Sequence, residues 1–142
     1  MNIVFDTNVL IAAFVTRGMC SAVFEHCVRQ HALLTSEFIL NELDEKLVLK
    51  FKYSTGEAKE VIQLLRSRMK AVEPVDLAKD VCRDPDDVTV LGTAVAGDAA
   101  CIITGDKDLL VIGQFRGIDI VPPSAFAEYE AQQIEWGAGH VN

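Results

Sequence analysis

A run of β-prone apolar residues that ends on an aspartate occurs twice in this chain, and it constrains most of what the chain can become. Ile3-Val4-Phe5 runs into Asp6, and Cys101-Ile102-Ile103 runs through Thr104-Gly105 into Asp106. A short continuous apolar run backed by turn-forming residues is the pattern of a strand buried on both faces, as in a parallel sheet. In open α/β sheets, ligands bind at the carboxyl ends of the strands. An aspartate there either caps the next helix or forms part of a site. Which of the two holds depends on whether other carboxylates reach the same edge.

Between these strands the hydrophobic pattern alternates. Residues 9–15 predict a short helix broken near Arg17-Gly18, and Ser21 is a candidate N-cap for a helix over 22–31. Residues 32–35 read as a second strand. Ser36 is placed to cap a helix reaching about Phe51, with Ile39, Leu40, Leu43, Leu47 and Val48 as its apolar stripe. Glu42 borders that stripe two turns in, where it can point back over the carboxyl edge of the sheet. Ser54 or Thr55 caps an amphipathic helix expected over 57–71. Residues 88–96 predict a helix with small residues on one face, ended by Gly97. Further strands are expected at 100–103 and 118–121, with a last helix from about Ala125 to Trp136 capped by Ser124. Strands alternating with helices imply one three-layer α/β/α sandwich, with a mostly parallel sheet of four or five strands. The domain is expected to span 1–136, with 137–142 a flexible end.

The chain has 142 residues, half of them hydrophobic, enough for one domain with a real core. No apolar run reaches the ~18 residues that span a bilayer, and the N-terminus lacks a basic start, so no membrane association and a cytoplasmic location are expected. Cys20, Cys27, Cys82 and Cys101 form no CxxC pair, which favours reduced, packed thiols. His26, His31 and His140 show no HExxH-like spacing, and surface or helix-end positions are their default. The net charge of -8 argues against nucleic acid, but its distribution does not. Residues 45–71 carry seven basic side chains against three acids, a local +4 that leaves -12 elsewhere. Lys46, Lys50, Lys52, Arg66 and Arg68 in this stretch are candidates for a phosphate-backbone track beside an acidic cleft.

The acids themselves are concentrated at element ends. Asp84, Asp86 and Asp87 fall within four residues, more than one helix cap requires. Several carboxylates in one cleft repel unless a divalent cation offsets them, and hard oxygen ligands select Mg2+ or Mn2+. Such a site activates water for attack on a phosphodiester. No Ser-His-Asp or Cys-His arrangement competes, and no glycine loop cradles a nucleotide. A phospho-aspartate phosphatase wants a second Asp two residues after the first, where this chain has Asn8. A receiver domain wants an acidic pair after strand one, which is absent.

Phe5-Asp6-Thr7-Asn8-Val9-Leu10, Glu42, Asp84-Pro85-Asp86-Asp87 with Leu91 and Ala94, Ile103-Thr104-Gly105-Asp106-Lys107-Asp108-Leu109-Leu110, and Val121-Pro122-Pro123-Ser124-Ala125-Phe126 together resemble a PIN-domain ribonuclease of the bacterial toxin group related to VapC. The likeness covers about residues 2–130. It implies Mg2+- or Mn2+-dependent cleavage of RNA, a cognate antitoxin partner and a homodimer. Carried onto this sequence, it makes Asp6, Glu42, Asp87 and Asp106 the catalytic set, with Asp6, Asp87 and Asp106 holding the metal. Asn8 or the Thr104 hydroxyl would orient carboxylates or waters, with Asp84, Asp86 and Asp108 in support. The chain departs from the pattern at Val88, where relatives often carry another acid or an Asn. The alternative reading is a catalytically silent RNA- or protein-binding module of the same fold. Asp87 is favoured within its trio because it begins a helix and can aim at the strand edge.

Overall fold

A computed structural model describes residues 1–140, with side chains described through Ile134. The elements in order are β1 (Asn2–Phe5), α1 (Thr7–Val15), α2 (Met19–Gln30), β2 (Ala32–Thr35), α3 (Glu37–Phe51), α4 (Thr55–Arg68), β3 (Met69–Ala71), α5 (Pro85–Ala96), β4 (Cys101–Ile103), α6 (Lys107–Ile112), β5 (Gln114–Phe115), β6 (Ile118–Val121), a 3-10 turn (Pro123–Ala125) and α7 (Phe126–His140). All six strands join one sheet in the order β3-β2-β1-β4-β6-β5. Every pairing is parallel except β5 with β6. Ile3, Val4, Cys101, Ile102 and Ile103 are fully buried, which is why β1 and β4 are apolar without alternation. Helices pack on the sheet, and Phe5 meets Phe24 of α2 edge-on at 5.5 Å. Among the described residues no single helix is long and apolar enough to cross a membrane.

The sheet has one strand more than the upper expectation because two short strands carry no local signal. Met69–Ala71 continues the helical spacing of Ile62 and Leu65, so periodicity extends the helix over it. In the structure α4 stops at Arg68, and Met69 pairs with Leu33 as an edge strand. Its Met69 side chain is buried, a position either conformation would give it. The β5–β6 hairpin turns on Arg116 and Gly117, both with positive φ (50° and 81°). Such two-residue turns usually announce themselves as Asn-Gly or Asp-Gly.

Helix starts also differ. Met19, not Ala22, begins α2, with Gly18 at the cap and no side-chain cap bond. Ser36 occupies the N-cap position of α3 but makes no capping bond; its hydroxyl accepts from Thr93 Oγ1 at 2.9 Å, tying α3 to α5 in the buried interior. Ser54 caps α4 in a reciprocal capping box with Glu57. Asp84 and Pro85 start α5 three residues before Val88. The last helix begins at Phe126, after a 3-10 turn that includes Ser124, and runs to His140, past the expected end at Trp136. Glycines inside a helix cost only ~1 kcal/mol each, so Gly137 and Gly139 do not compel a stop. The remainder of the expected flexible end, residues 141–142, lies outside the described residues.

The strand order places the site. From β1 the chain moves to β2 and β3 on one side, and from β4 to β6 and β5 on the other. The sheet order therefore reverses between β1 and β4, and the crevice at their carboxyl ends is the topological switch point. Asp6 follows β1 and Thr104 follows β4 across that crevice.

Candidate metal centre

Each aspartate is delivered by a local rule. Asp6 ends β1, its backbone N–H bonded to the Ile103 carbonyl at 3.0 Å. Its side chain is both cap and site component: Oδ1 accepts from the Thr7 N–H at 2.8 Å, starting α1, and Oδ2 accepts from the Thr104 hydroxyl at 2.8 Å. Asp106 is the N-cap of α6, with Oδ1 accepting from the N–H groups of Asp108 and Leu109. The Asp106 N–H in turn donates to Thr104 Oγ1 at 3.0 Å. One hydroxyl thus links the two strand-end aspartates.

The Asp84–Asp87 trio separates into three jobs. Asp84 is the N-cap of α5, accepting from the Asp86 N–H at 2.9 Å. Asp86 is exposed on the rim; partial burial first, then the charges of Glu42 and Asp84 and a hydrogen bond with Glu42, raise its pKa. Asp87 points inward and is 5% exposed. Burial first, then the charges of Asp106, Asp6 and Asp84, push its carboxyl up to about 7. Burial is also the largest cause raising Asp6, with Asp106 and Glu42 adding to it against the lowering by Thr104 and Thr7. Like charges crowded in a dry cleft disfavour ionisation.

Asp87, Asp106 and Asp108 offer carboxylate oxygens within 4.8 Å of one another. Oxygens around a Mg2+ held at ~2.1 Å lie ~3–4 Å apart, so modest side-chain closure suffices. An all-oxygen donor set on a helix-capping scaffold fits a hard divalent cation. Asp6 stands close enough for its charge to act on Asp87, and Asp108 adds a carboxylate to the expected pair Asp87 and Asp106. Glu42 sits where its charge acts on both Asp6 and Asp86, reaching the crevice from α3. Val88 is half-buried against the core and offers no ligand.

Other sequence candidates are not brought together. Asn8 makes no hydrogen bond to a carboxylate among the described residues; its Oδ1 accepts from Lys46 Nζ at 3.4 Å. Lys46 Nζ also lies 4.0 Å from Glu42 Oε1. Lys46 and Lys50 line a groove with Ile11, Val15 and Phe51 next to the acids. Lys52 is the left-handed C-cap of α3. Arg66 is held in a two-pronged pair by Glu37, and Arg68 faces a separate hollow with Phe24 and Val28. Lys46 and Lys50 thus share one groove, while Arg68 lines another and Arg66 is taken up by Glu37.

Sequence reasoning missed Cys82, a buried thiol whose Sγ lies 3.9 Å from Asp87 Oδ2. Burial raises its pKa, keeping it a neutral donor. No spacing rule points to it.

The raised carboxyls predict a pH dependence. An acid whose folded pKa exceeds its unfolded one lets the unfolded state shed its proton first. Stability is then greatest below the unfolded value and falls as pH rises, here between about 4 and 7 for Asp87. The lowered carboxyls of Glu37, Glu57 and Glu130 work in the opposite sense, but they are ionised in both states above about pH 5. In EDTA the melting temperature should therefore drop from pH 5 to pH 8. A flat or rising profile would contradict the clustered arrangement.

Residues 2–108 match a family whose description is the PIN domain. Among solved structures, the chain is similar to one in the crystal structure of VapBC2 from Rickettsia felis bound to a DNA fragment from their promoter. The TM-score is 0.61 at 14% identity, covering 86% of this chain and 98% of that one. This is a likeness of fold. No curated protein matches the chain.

Proposed function

The chain belongs to the PIN-domain family, and from that premise we propose that it is a Mg2+- or Mn2+-dependent endoribonuclease, the toxin of a cytoplasmic toxin–antitoxin pair. The observation that carries this reading is the convergence of Asp87, Asp106 and Asp108 beside Asp6 at the switch point, with the Asp87 carboxyl raised to about 7. Capping accounts for Asp6 and Asp106 but not for buried Asp87, whose repulsion by its neighbours a bound cation would convert into affinity. When bound, that ion would supply a water acidified toward neutral pH and charge neutralisation at the phosphate.

The chain's own side chains do the rest. Asp87, Asp106 and Asp108 hold the cation, and Asp6 and Glu42 complete the catalytic set. The Thr104 hydroxyl fixes Asp6 by donating to Oδ2. Lys46 and Lys50 on the groove wall suit the phosphate backbone of an RNA strand, where each cation neutralises one phosphate. An antitoxin partner and a homodimer complete the proposal. They rest on the VapBC2 likeness and on the apolar wall of the groove, where Val15 and Phe51 are exposed.

The test is cleavage of single-stranded RNA with Mn2+ or Mg2+. Activity is expected to vanish in EDTA and in Asp6→Asn, with the variant still folded by circular dichroism. Activity indifferent to both would reject the metal mechanism. The silent-module reading predicts instead no Mn2+ binding at the cleft by calorimetry.

A further inference from the structure

The geometry points to a second metal site, for a late first-row divalent ion such as Zn2+, formed by His26, His31 and Glu130 away from the acidic cleft. His26 belongs to α2, His31 is its C-cap and Glu130 comes from α7, so two segments distant in sequence converge. Both imidazole Nε2 atoms bond the same oxygen, Glu130 Oε2, at 2.7 Å from His26 and 2.5 Å from His31. One donor atom from each of the three lies within 4.8 Å of the other two.

The site is held as metal ligands usually are, with ring orientation set from behind. His31 is only 10% exposed, and its ring packs edge-on against Phe126 at 6.0 Å. Its Nδ1 lies 3.1 Å from the Met1 amine. Ligation through Nε2 requires the ring proton to sit on Nδ1, the nitrogen turned toward Met1. The fourth side is open: His26 is 46% exposed, and a hollow lined by Met19, Val23, Phe126 and Ala127 meets His26 and Glu130. Water or a further ligand has room there.

Two nitrogens and one carboxylate oxygen select differently from the acidic cleft. Imidazole suits Zn2+, Co2+, Ni2+ and Cu2+, whereas carboxylates and water suit Mg2+ and Mn2+. The ion would fasten α7 to the corner between α2 and β2. Its effect is on the docking of the last helix, independent of the nuclease reading.

The experiment titrates the EDTA-stripped, dialysed full chain with Zn2+ by calorimetry and with Co2+ by visible absorption. Wild type is compared with His26→Ala, Glu130→Gln and Asp87→Asn. Expected are nitrogen-ligand Co2+ bands and Zn2+ binding in wild type and Asp87→Asn. His26→Ala and Glu130→Gln should each weaken binding by about tenfold or more. At ~100 times its Kd, Zn2+ should raise the wild-type Tm by about 5 °C or more, with that shift reduced in His26→Ala. His26 is half-exposed, so its variant should fold. Absent bands, or Zn2+ affinity unchanged in both His26→Ala and Glu130→Gln, would overturn the site. So would binding lost only in Asp87→Asn, which would place the ion in the acidic cleft.

Discussion

Asp87→Asn is expected to lower metal-dependent RNA cleavage by about 10³-fold or more, a loss of ~4 kcal/mol in transition-state stabilisation, while making the metal-free protein more stable. The two signs have one cause. Asp87 is buried, stands against Asp106 and Asp6, and holds its proton to about pH 7. Asparagine keeps the shape and donates permanently to Asp106 what the shared proton supplies at low pH. Its amide oxygen still accepts from the Cys82 thiol. The folded state then no longer works against ionisation, worth about 1–3 kcal/mol at pH 8 in EDTA. Adding Mn2+ should stabilise wild type and not the variant. Thermal melts with and without the ion, beside a cleavage assay, decide it. An active variant, or one that melts lower in EDTA, would remove Asp87 from the centre.

The second large effect is structural and lies behind the site. Gly92→Ala in α5 should cost about 2–4 kcal/mol, although a helix-interior glycine ordinarily gains up to ~1 kcal/mol on conversion to alanine. A Cβ at Gly92 would sit 2.4 Å from the Val75 carbonyl oxygen, which is backbone and cannot swing aside. The Val75 N–H also bonds the Gly92 carbonyl at 3.0 Å, so displacement breaks a hydrogen bond. That crossing segment continues to buried Leu77 and Cys82, and Cys82 contacts Asp87. The variant should melt about 5–15 °C lower and bind Mn2+ more weakly. Gly56→Ala, where only Ser54 Oγ lies near at 3.9 Å, should be neutral or slightly stabilising. Equal melting of the two variants would refute the close crossing.

Legibility varied with the range of the interaction responsible. The strands β1, β2, β4 and β6 and the helices α3 and α5 are visible as apolar patterns, since burial on a sheet or helix face imposes its period on neighbouring residues. The strands β3 and β5 are invisible for the converse reason. Met69-Lys70-Ala71 carries no strand pattern of its own and is read as a strand only through its pairing with Leu33, Leu34 and Thr35 of β2. Arg116-Gly117 makes a tight turn without its usual residues. The capping roles of Asp84 and Asp106 follow from position, while the division of Asp84, Asp86 and Asp87 into cap, rim and interior needs the helix axis to be known.

The sequence by itself determined the kinds of parts: buried parallel strands, aspartates where strands give way to helices, and an all-oxygen chemistry without a nucleophile triad. Those follow from local rules of burial, capping and charge. Only the tertiary structure decided that β1 lies beside β4 and that the sheet reverses between them. That adjacency brings Asp6 and Thr104 within one hydrogen bond across 98 positions of sequence. It also decided that Asp108 joins Asp87 and Asp106, that Asn8 turns to Lys46, and that His26 and His31 meet Glu130. Strand order and helix docking are set by long-range pairing, and a long-range pair leaves no period in the chain on either side of it.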